Sequence, residues 1–316
     1  MAYRIIRPAS HEEWLEQRSK GIGSSEAGTI MGVNKFDTAY RLWRRKTGQD
    51  GPIEMNEAME LGHHMEDAVS TMFASRSGAF ILNSSKGDWI AVDTKRDYLR
   101  VSPDRIYYYP GEKHSRGNQH ILECKTSSVS VDRNNIPAYW YCQLQYQMGV
   151  MGVKKGSLAW ICSQPKLHFD YMEVDFNPSF FKVLIEAIDS FWKVNILGGK
   201  APESLNAEDT LLRYPTAKEG DKAEASIEII GKYEELKEVN AKMKVYEETK
   251  SSLESDIKQA MGPSEMLVTP EGVVIAQWKN TKESRKFNPK AFLAADPDGY
   301  AKYVETVPGG RRFTIR

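Results

Sequence analysis

The chain is poor in cysteine and in long apolar runs, and it has no net charge. It holds three cysteines, Cys124, Cys142 and Cys162, and no CxxC pair. An odd count without paired spacing excludes a disulfide framework and a cysteine-rich metal cluster. Each cysteine sits among apolar or aromatic neighbours, which predicts buried free thiols in a reducing compartment. No apolar run approaches the length of a membrane span. The first ten residues lack the apolar core of a signal region. The expectation is therefore a cytoplasmic protein with no membrane partner. Lysine plus arginine balance aspartate plus glutamate at 43 each, so net charge alone announces no nucleic-acid partner. There is no internal repeat and no low-complexity segment.

The distribution of charge is less even than the total. From Glu203 to Glu271 there are 16 acids against 9 bases, and from Lys279 to the end 9 bases against 4 acids. The basic tail, with Arg285, Lys286, Arg311 and Arg312, could touch a phosphate backbone or a neighbouring subunit. A solvated surface fits it equally well.

The elements read as follows. Helices are expected at His11–Lys20, after the Gly21–Gly23 turn to Met31, at Thr38–Lys46 and over Glu54–Ser77. Strands follow at Trp89–Asp93, Leu99–Ser102, Asp104–Tyr109 and His120–Thr126, with a polar hairpin loop at Pro110–Gln119. Pro137 opens a helix to Met151. Strands Ser157–Cys162 and His168–Val174 and a helix from Asn177 to Leu197 complete residues 1–200. This order predicts an α/β fold, a mixed sheet flanked by helices. Residues 201–221 read as a linker. Residues 222–316 read as a long polar helical arm, Lys222–Met261, and a small α+β appendage. The appendage has a hairpin around Pro270-Glu271-Gly272, a helix at Asn288–Ala295 and a last strand at Arg312–Arg316. The arm carries apolar residues at alternating spacings of three and four, from Leu236 to Ala260, with Lys250 breaking the series, and could fold back on the body or pack against another subunit.

Four groups of residues carry possible chemistry. Glu123 and Lys125 lie two apart on one strand and share a face. With Asp104 upstream they could hold a divalent cation beside a phosphate, or form only an ion pair on a sheet edge. Mg²⁺ would take the two carboxylates, the main-chain carbonyl of Cys124 and waters. Lys125 would then serve water and phosphate rather than pair with Glu123. Glu66, one turn after Gly62, could aim a third carboxylate at the metal while Gly62 lets the helix approach the sheet; otherwise it is an exposed helix acid like Asp67. The adjacent His63 and His64 diverge around the helix and do not fit the i, i+4 spacing of zinc pairs. Gln143 and Gln147 share a helix face and could hold water or phosphate, or line a polar face. Arg18, Ser24 and Ser25 could bind an anion at a helix N-terminus, or serve as a cap with a surface arginine beside it.

Taken in order, these pieces resemble one family. They are Trp14-x-x-x-Arg18, the Gly-Ile-Gly-Ser-Ser run, Leu42-Trp43-x-x-Lys46-Thr47-Gly48, Gly62-x-x-x-Glu66, Ser102-Pro103-Asp104, Leu122-Glu123-Cys124-Lys125 and Gln143-x-Gln145. The set resembles the YqaJ / lambda-exonuclease family of phage recombination nucleases, within the PD-(D/E)XK superfamily of restriction-endonuclease-like cores. The resemblance covers Trp14 to about Leu197. It implies an Mg²⁺-dependent exonuclease, with Mn²⁺ an alternative and one or two ions per site. Such an enzyme digests one strand of linear duplex DNA from its 5′ end. By the family pattern Asp104 and Glu123 bind metal, Lys125 is the catalytic lysine, Glu66 is the helix carboxylate and Gln143 the helix glutamine. Arg18 and Ser25 bind the 5′ phosphate. A trimeric ring, a single-strand annealing partner and a bacterial host cytoplasm are implied in the same way. Ser-Pro-Asp-Arg departs from the Ser-Pro-Asp-Gly of some relatives and sets Arg105 beside the metal acid, to contact phosphate or cover the site. An endonuclease on the same core, or a DNA-end-binding protein without catalysis, would use the same fold.

Overall fold

Alternation along one strand organises the molecule. In the computed structural model, which describes residues 2–82, 89–305, 307 and 309–315, strand β6 (His120–Ser127) is central to a five-stranded sheet. The sheet order is β2 (Phe80–Ile81), β5 (Arg105–Tyr108), β6, β7 (Lys155–Cys162) and β8 (His168–Asp175). β6 runs antiparallel to β5 and parallel to β7, with Glu123 beside Leu158 and Lys125 beside Trp160. A parallel pair needs a crossover, and helix α5 (Ala138–Met151) supplies it.

Successive side chains of β6 point to opposite faces. Leu122 and Cys124 join Ala159 and Ile161 under Val69 and Phe73 of helix α4 (Glu57–Ser77). Ile121 faces the larger cluster, where Leu144 and Met148 of α5 meet Leu158 and Trp160. Glu123 and Lys125 stand on this second face, so their charges are placed beneath α5. The mixed sheet with flanking helices is the fold class expected from the sequence.

The helices start and stop on their own chemistry. Asn56 caps α4 by accepting from the Met59 N–H, and Gly78 ends it in the left-handed region at φ 73°. Thr38 caps helix α3 (Ala39–Lys46) in the same way. Helix α1 (His11–Ser19) is capped by Ser10, and helix α2 (Ala27–Ile30) packs so tightly on α5 that a Cβ on Gly28 would lie 2.6 Å from that of Tyr139. The expected helix at Asn177–Leu197 is α6 (Pro178–Ser190) continued by a π-helical stretch, Phe191–Leu197.

Several expectations are corrected. The strands do not form one sheet. β1 (Tyr3–Ile6), which the sequence did not announce, pairs with β3 (Ile90–Asp93), and β3 with β4 (Arg100–Val101), in a separate three-stranded sheet. Pro137 is the cap of α5 rather than its first residue. Gly62 does not serve close packing, since an added Cβ would meet only the Thr126 hydroxyl at 3.7 Å. The linker expected at 201–221 contains helix α7 (Ala207–Arg213), and the first compact unit runs to Arg213.

The anchor of α7 is Asp209, fully buried. It accepts from Thr38 Oγ1 at 3.0 Å and from the Leu205 N–H at 3.1 Å, and Arg41 Nε lies 3.3 Å away. Polar residues flanking a proline-containing stretch suggested a loop; the partner that makes the helix pack is 171 residues away in the chain.

The second unit is Tyr214–Arg316. It holds the long helix α8 (Ile227–Met261), a hairpin of β9 (Met266–Val268) and β10 (Val274–Gln277), α9 (Pro289–Ala295) and α10 (Pro297–Lys302). The last strand expected at Arg312–Arg316 is not formed over 312–315, and Arg316 lies outside the described residues. α10, with Asp296 as its cap, was not expected. All three cysteines are buried and free, as anticipated. Among the described residues no helix is long and apolar enough to cross a membrane.

Removing one partner of a buried charged pair costs about 3–5 kcal/mol. Asp209→Ala should therefore destabilise the first unit by about 3 kcal/mol in urea unfolding, with α7 becoming protease-sensitive. An unchanged midpoint would show that α7 is not anchored there.

Candidate active site

β5 stops its ladder at Arg105, which pairs with Leu122. Asp104 is the next residue out. Its carboxylate takes over the role of a ladder acceptor, with Oδ2 receiving the Cys124 N–H at 2.7 Å. This places Asp104 beside Glu123 on the neighbouring strand. Glu123 is buried, at 1% exposure, and Asp104 is half-buried.

Glu123 is held from three directions. Oε1 accepts from Lys125 Nζ at 2.6 Å and from Gln143 Nε2; Oε2 accepts from Gln147 Nε2 at 2.8 Å. Lys125 also donates to Gln143 Oε1 at 2.9 Å. The expectation that Lys125 would stand apart from Glu123 is thus corrected: here they are an ion pair. A carboxylate offers about four lone-pair sites, so three donors leave one open on Glu123. An ammonium has three N–H bonds, and two of those on Lys125 are used.

The electrostatics carry strain. Burial pushes the Asp104 carboxyl well above its usual pKa, and the nearby charges of Glu123 and Glu66 push it further. Burial also raises Glu66, and repulsion from Glu123 adds to it, against the attraction of His63, Arg105 and Lys125. For Lys125 burial opposes the charged form, but Glu123 and Asp104 outweigh it and raise its pKa. Burial likewise pushes the Cys124 thiol well up, so it stays neutral. Three carboxylates thus crowd around Lys125. Among the described residues no three acidic, histidine or cysteine side chains converge on one point as a ready metal cage. The crowding is nevertheless what a hard divalent cation relieves. Oxygen donors from carboxylates and a main-chain carbonyl are the set that Mg²⁺ or Mn²⁺ takes.

Arg105 is buried. Its guanidinium donates to Asp67 Oδ1 at 2.6 Å and lies 3.7 Å from Glu66 Oε2. The acids of α4 hold it, so it secures Glu66 rather than presenting itself to a phosphate, and Asp67 is not a bystander on the helix surface. His64 is exposed, 4.0 Å from Glu60. Gln145, inside the sequence motif, supports the fold instead: it donates to the Asp175 carbonyl and accepts from the Asn177 N–H, both at 2.9 Å.

A second cluster adjoins the first. Arg18 donates to Ser25 Oγ at 3.1 Å, and its guanidinium lies 4.5 Å from the Trp14 ring centroid. The turn beneath is pinned by Lys46, which donates to the Gly21 carbonyl at 2.6 Å and pairs with Glu26 at 3.0 Å, and by Tyr146, whose hydroxyl donates to the Ile22 carbonyl at 3.0 Å. Glu26 takes the Gly23 N–H at 2.7 Å. That amide is therefore not free for an anion. Ser24 is buried and receives Gln147 Nε2 at 3.2 Å.

Gln147 therefore bridges the two clusters, touching Ser24 on one side and Glu123 on the other. Its Oε1 is buried without a hydrogen-bond partner among the described residues. Its spacing, one turn after Gln143, was visible; its link to Ser24 was not, because that contact spans 123 positions.

A mixed sheet carrying Asp104 and Glu123-x-Lys125, roofed by a helix with paired glutamines, is the architecture of a PD-(D/E)XK-type core. The YqaJ-like viral recombinase domain model matches residues 13–154. The uncharacterized protein YqaJ of Bacillus subtilis (strain 168) is 30% identical over 321 residues, covering 97% of this chain and 94% of that protein. The chain belongs to the YqaJ-like viral recombinase family. Among solved structures, the alkaline exonuclease LHK-Exo from Laribacter hongkongensis is similar at a TM-score of 0.46 and 14% identity, over 64% of this chain and 96% of that one. A phage related exonuclease from Haemophilus somnus 129PT is similar at 0.38 and 12%, over 57% and 96%.

The raised carboxyls have a consequence for stability. The folded chain keeps protons on Asp104 and Glu66 to higher pH than the unfolded chain does. Stability from this source is full below the ordinary carboxylate range, about pH 4, and falls as pH rises through the raised values. Asp104→Asn, which keeps the acceptor for Cys124, should raise the Tm measured in EDTA above the ordinary carboxylate range and flatten its decline with rising pH. A lower Tm above that range would refute the account.

Proposed function

We propose that the chain is a divalent-metal-dependent exonuclease that digests one strand of linear duplex DNA from its 5′ end, within phage-type recombination by strand annealing. The observation that carries this reading is the crowd of Glu66, Asp104 and Glu123 around Lys125, joined through Gln147 and Ser24 to the turn that holds the Arg18–Ser25 pair. The exonucleases with similar structures and the recombinase family support it.

Glu66, Asp104, Glu123 and the main-chain carbonyl of Cys124 would hold one or two Mg²⁺ or Mn²⁺ ions. The ion supplies Lewis acidity at the phosphate and offsets charge that develops there. The residues of the chain do the rest. Lys125 has one N–H left after its bonds to Glu123 and Gln143, and directs it at a phosphate oxygen or at the attacking water. Gln143 shares the lysine with Glu123 and holds it in place. Arg18, its guanidinium over the Trp14 ring, and Ser25 grip the terminal 5′ phosphate. A grip on an end phosphate fixes which strand enters and forbids internal cutting. Strand choice is thus a matter of anchoring rather than of base readout. A homo-oligomer closing around the duplex and a single-strand annealing protein as consumer of the product complete the proposal.

The tests follow from the roles. Linear duplex with a 5′ phosphate should be degraded in Mg²⁺ and left intact in EDTA; absence of Mg²⁺-dependent nucleotide release would sink the reading, and cutting of covalently closed circles would make the chain an endonuclease. Lys125→Ala should lower the rate by about 10³-fold with duplex binding retained in a gel-shift assay. Arg18→Ala should erase the rate advantage of 5′-phosphorylated over 5′-hydroxyl ends, with the slower rate on hydroxyl ends kept; equal loss on both would make Arg18 structural. Deleting 263–316 should weaken salt-sensitive DNA binding or assembly if the basic tail contributes.

A further inference from the structure

Helix α8 is 35 residues long, and apart from Tyr233 and Met261 every residue in it is exposed. A helix of that length rises about 52 Å, and isolated helices gain little stability without packing an apolar face. The face exists. Leu236, Val239, Met243, Tyr246, Leu253, Ile257 and Ala260 follow one another at steps of three and four, with Lys250 completing the series. The apolar members from Leu236 to Ile257 are exposed by 37–73%.

The chain's own appendage does not cover this seam. Trp278, just after β10, lies with Gly262 around a hollow whose other walls are Ser251, Glu254, Ser255, Lys258 and Gln259. Ser251, Ser255, Lys258 and Gln259 lie off the seam, on the helix's polar side. The seam is left open along its length.

We propose that α8 pairs with α8 of a second copy of this chain, as an antiparallel two-stranded coiled coil. Pattern and charge choose the occupant and the direction. With Leu236 opposite Ala260 of the copy, the following layers are Val239 with Ile257, Met243 with Leu253, and Tyr246 with Lys250. Each layer joins a larger with a compatible or smaller side chain. The only charged residue in the seam meets an aromatic ring instead of a like charge. Beside the seam, Lys242 meets Asp256 of the copy. Glu247 faces its copy only at the solvent-exposed rim, where repulsion is screened. In a parallel pair the same seam would set Lys250 against Lys250, which a buried layer resists. Self-complementarity of this kind is what a two-fold interface requires of one sequence.

The full chain tests this, whatever its activity. Its mass by sedimentation or light scattering should be halved by Met243→Lys/Leu253→Lys. It should be kept by Met243→Glu/Leu253→Lys, which puts opposite charges in one antiparallel layer and like charges in a parallel one. Far-UV circular dichroism checks that both variants fold; these positions are exposed, so the core is not at risk. Separately tagged chains with Val239→Cys and with Ile257→Cys should be joined by a short bismaleimide when mixed. Neither should cross-link to itself, because antiparallel pairing separates each from its own copy by about 27 Å, the rise of 18 residues. An unchanged mass in the Met243→Lys/Leu253→Lys variant overturns the pairing. Self-cross-linking of the Val239→Cys chain, or loss of mass in the charge-swapped variant, overturns its direction.

Discussion

The structure turns on charge held out of water at the edge of β6. Buried Glu123 and half-buried Asp104 lie beside each other and Glu66 is nearby, with Lys125 as the cation among them. Such a group of carboxylates is costly to assemble. The fold meets the cost with donors: the Cys124 amide for Asp104, and Lys125, Gln143 and Gln147 for Glu123. Arg105 restrains Glu66. Much of what surrounds the sheet serves to bring those donors in. α5 is both the crossover that a parallel β6–β7 pair requires and the element that delivers the glutamines.

The link through Gln147 gives the two clusters one mechanical frame. Ser24 sits at the base of the turn that carries Ser25, and that turn is clamped by Lys46 and Tyr146. Gln147 donates to both Ser24 and Glu123, so two hydrogen bonds connect the turn of Ser25 to Glu123. The motif Leu42-Trp43-x-x-Lys46, which by itself has no evident chemistry, acquires a reason: its lysine fastens the turn, and Trp43 donates to the Asn195 carbonyl.

The second unit obeys a different logic. Its long helix makes its backbone bonds locally but buries almost nothing of its apolar seam, whereas the first unit buries its charges and satisfies them. One is complete as a folded body; the other presents a surface.

Local pattern determined much by itself. The strand at Glu123-Cys124-Lys125, the helix over Glu66, the cap and stop of that helix and the mixed-sheet class all follow from side-chain alternation, helical spacing and capping chemistry, which act over a few residues. The candidate residues stood out only as an ordered set, because the spacing of each pair alone suits an ion pair or a polar helix face equally well. Tertiary structure alone decided what those residues do to one another. That Lys125 pairs with Glu123, that Arg105 turns to the acids of α4, that Gln147 reaches Ser24 and that Asp209 draws α7 onto Thr38 are contacts between distant segments. No local spacing encodes them, because burial and charge balance at each site depend on which elements the fold brings together. β1 escaped notice for the same reason: Tyr3–Ile6 becomes a strand only because β3 offers it an edge.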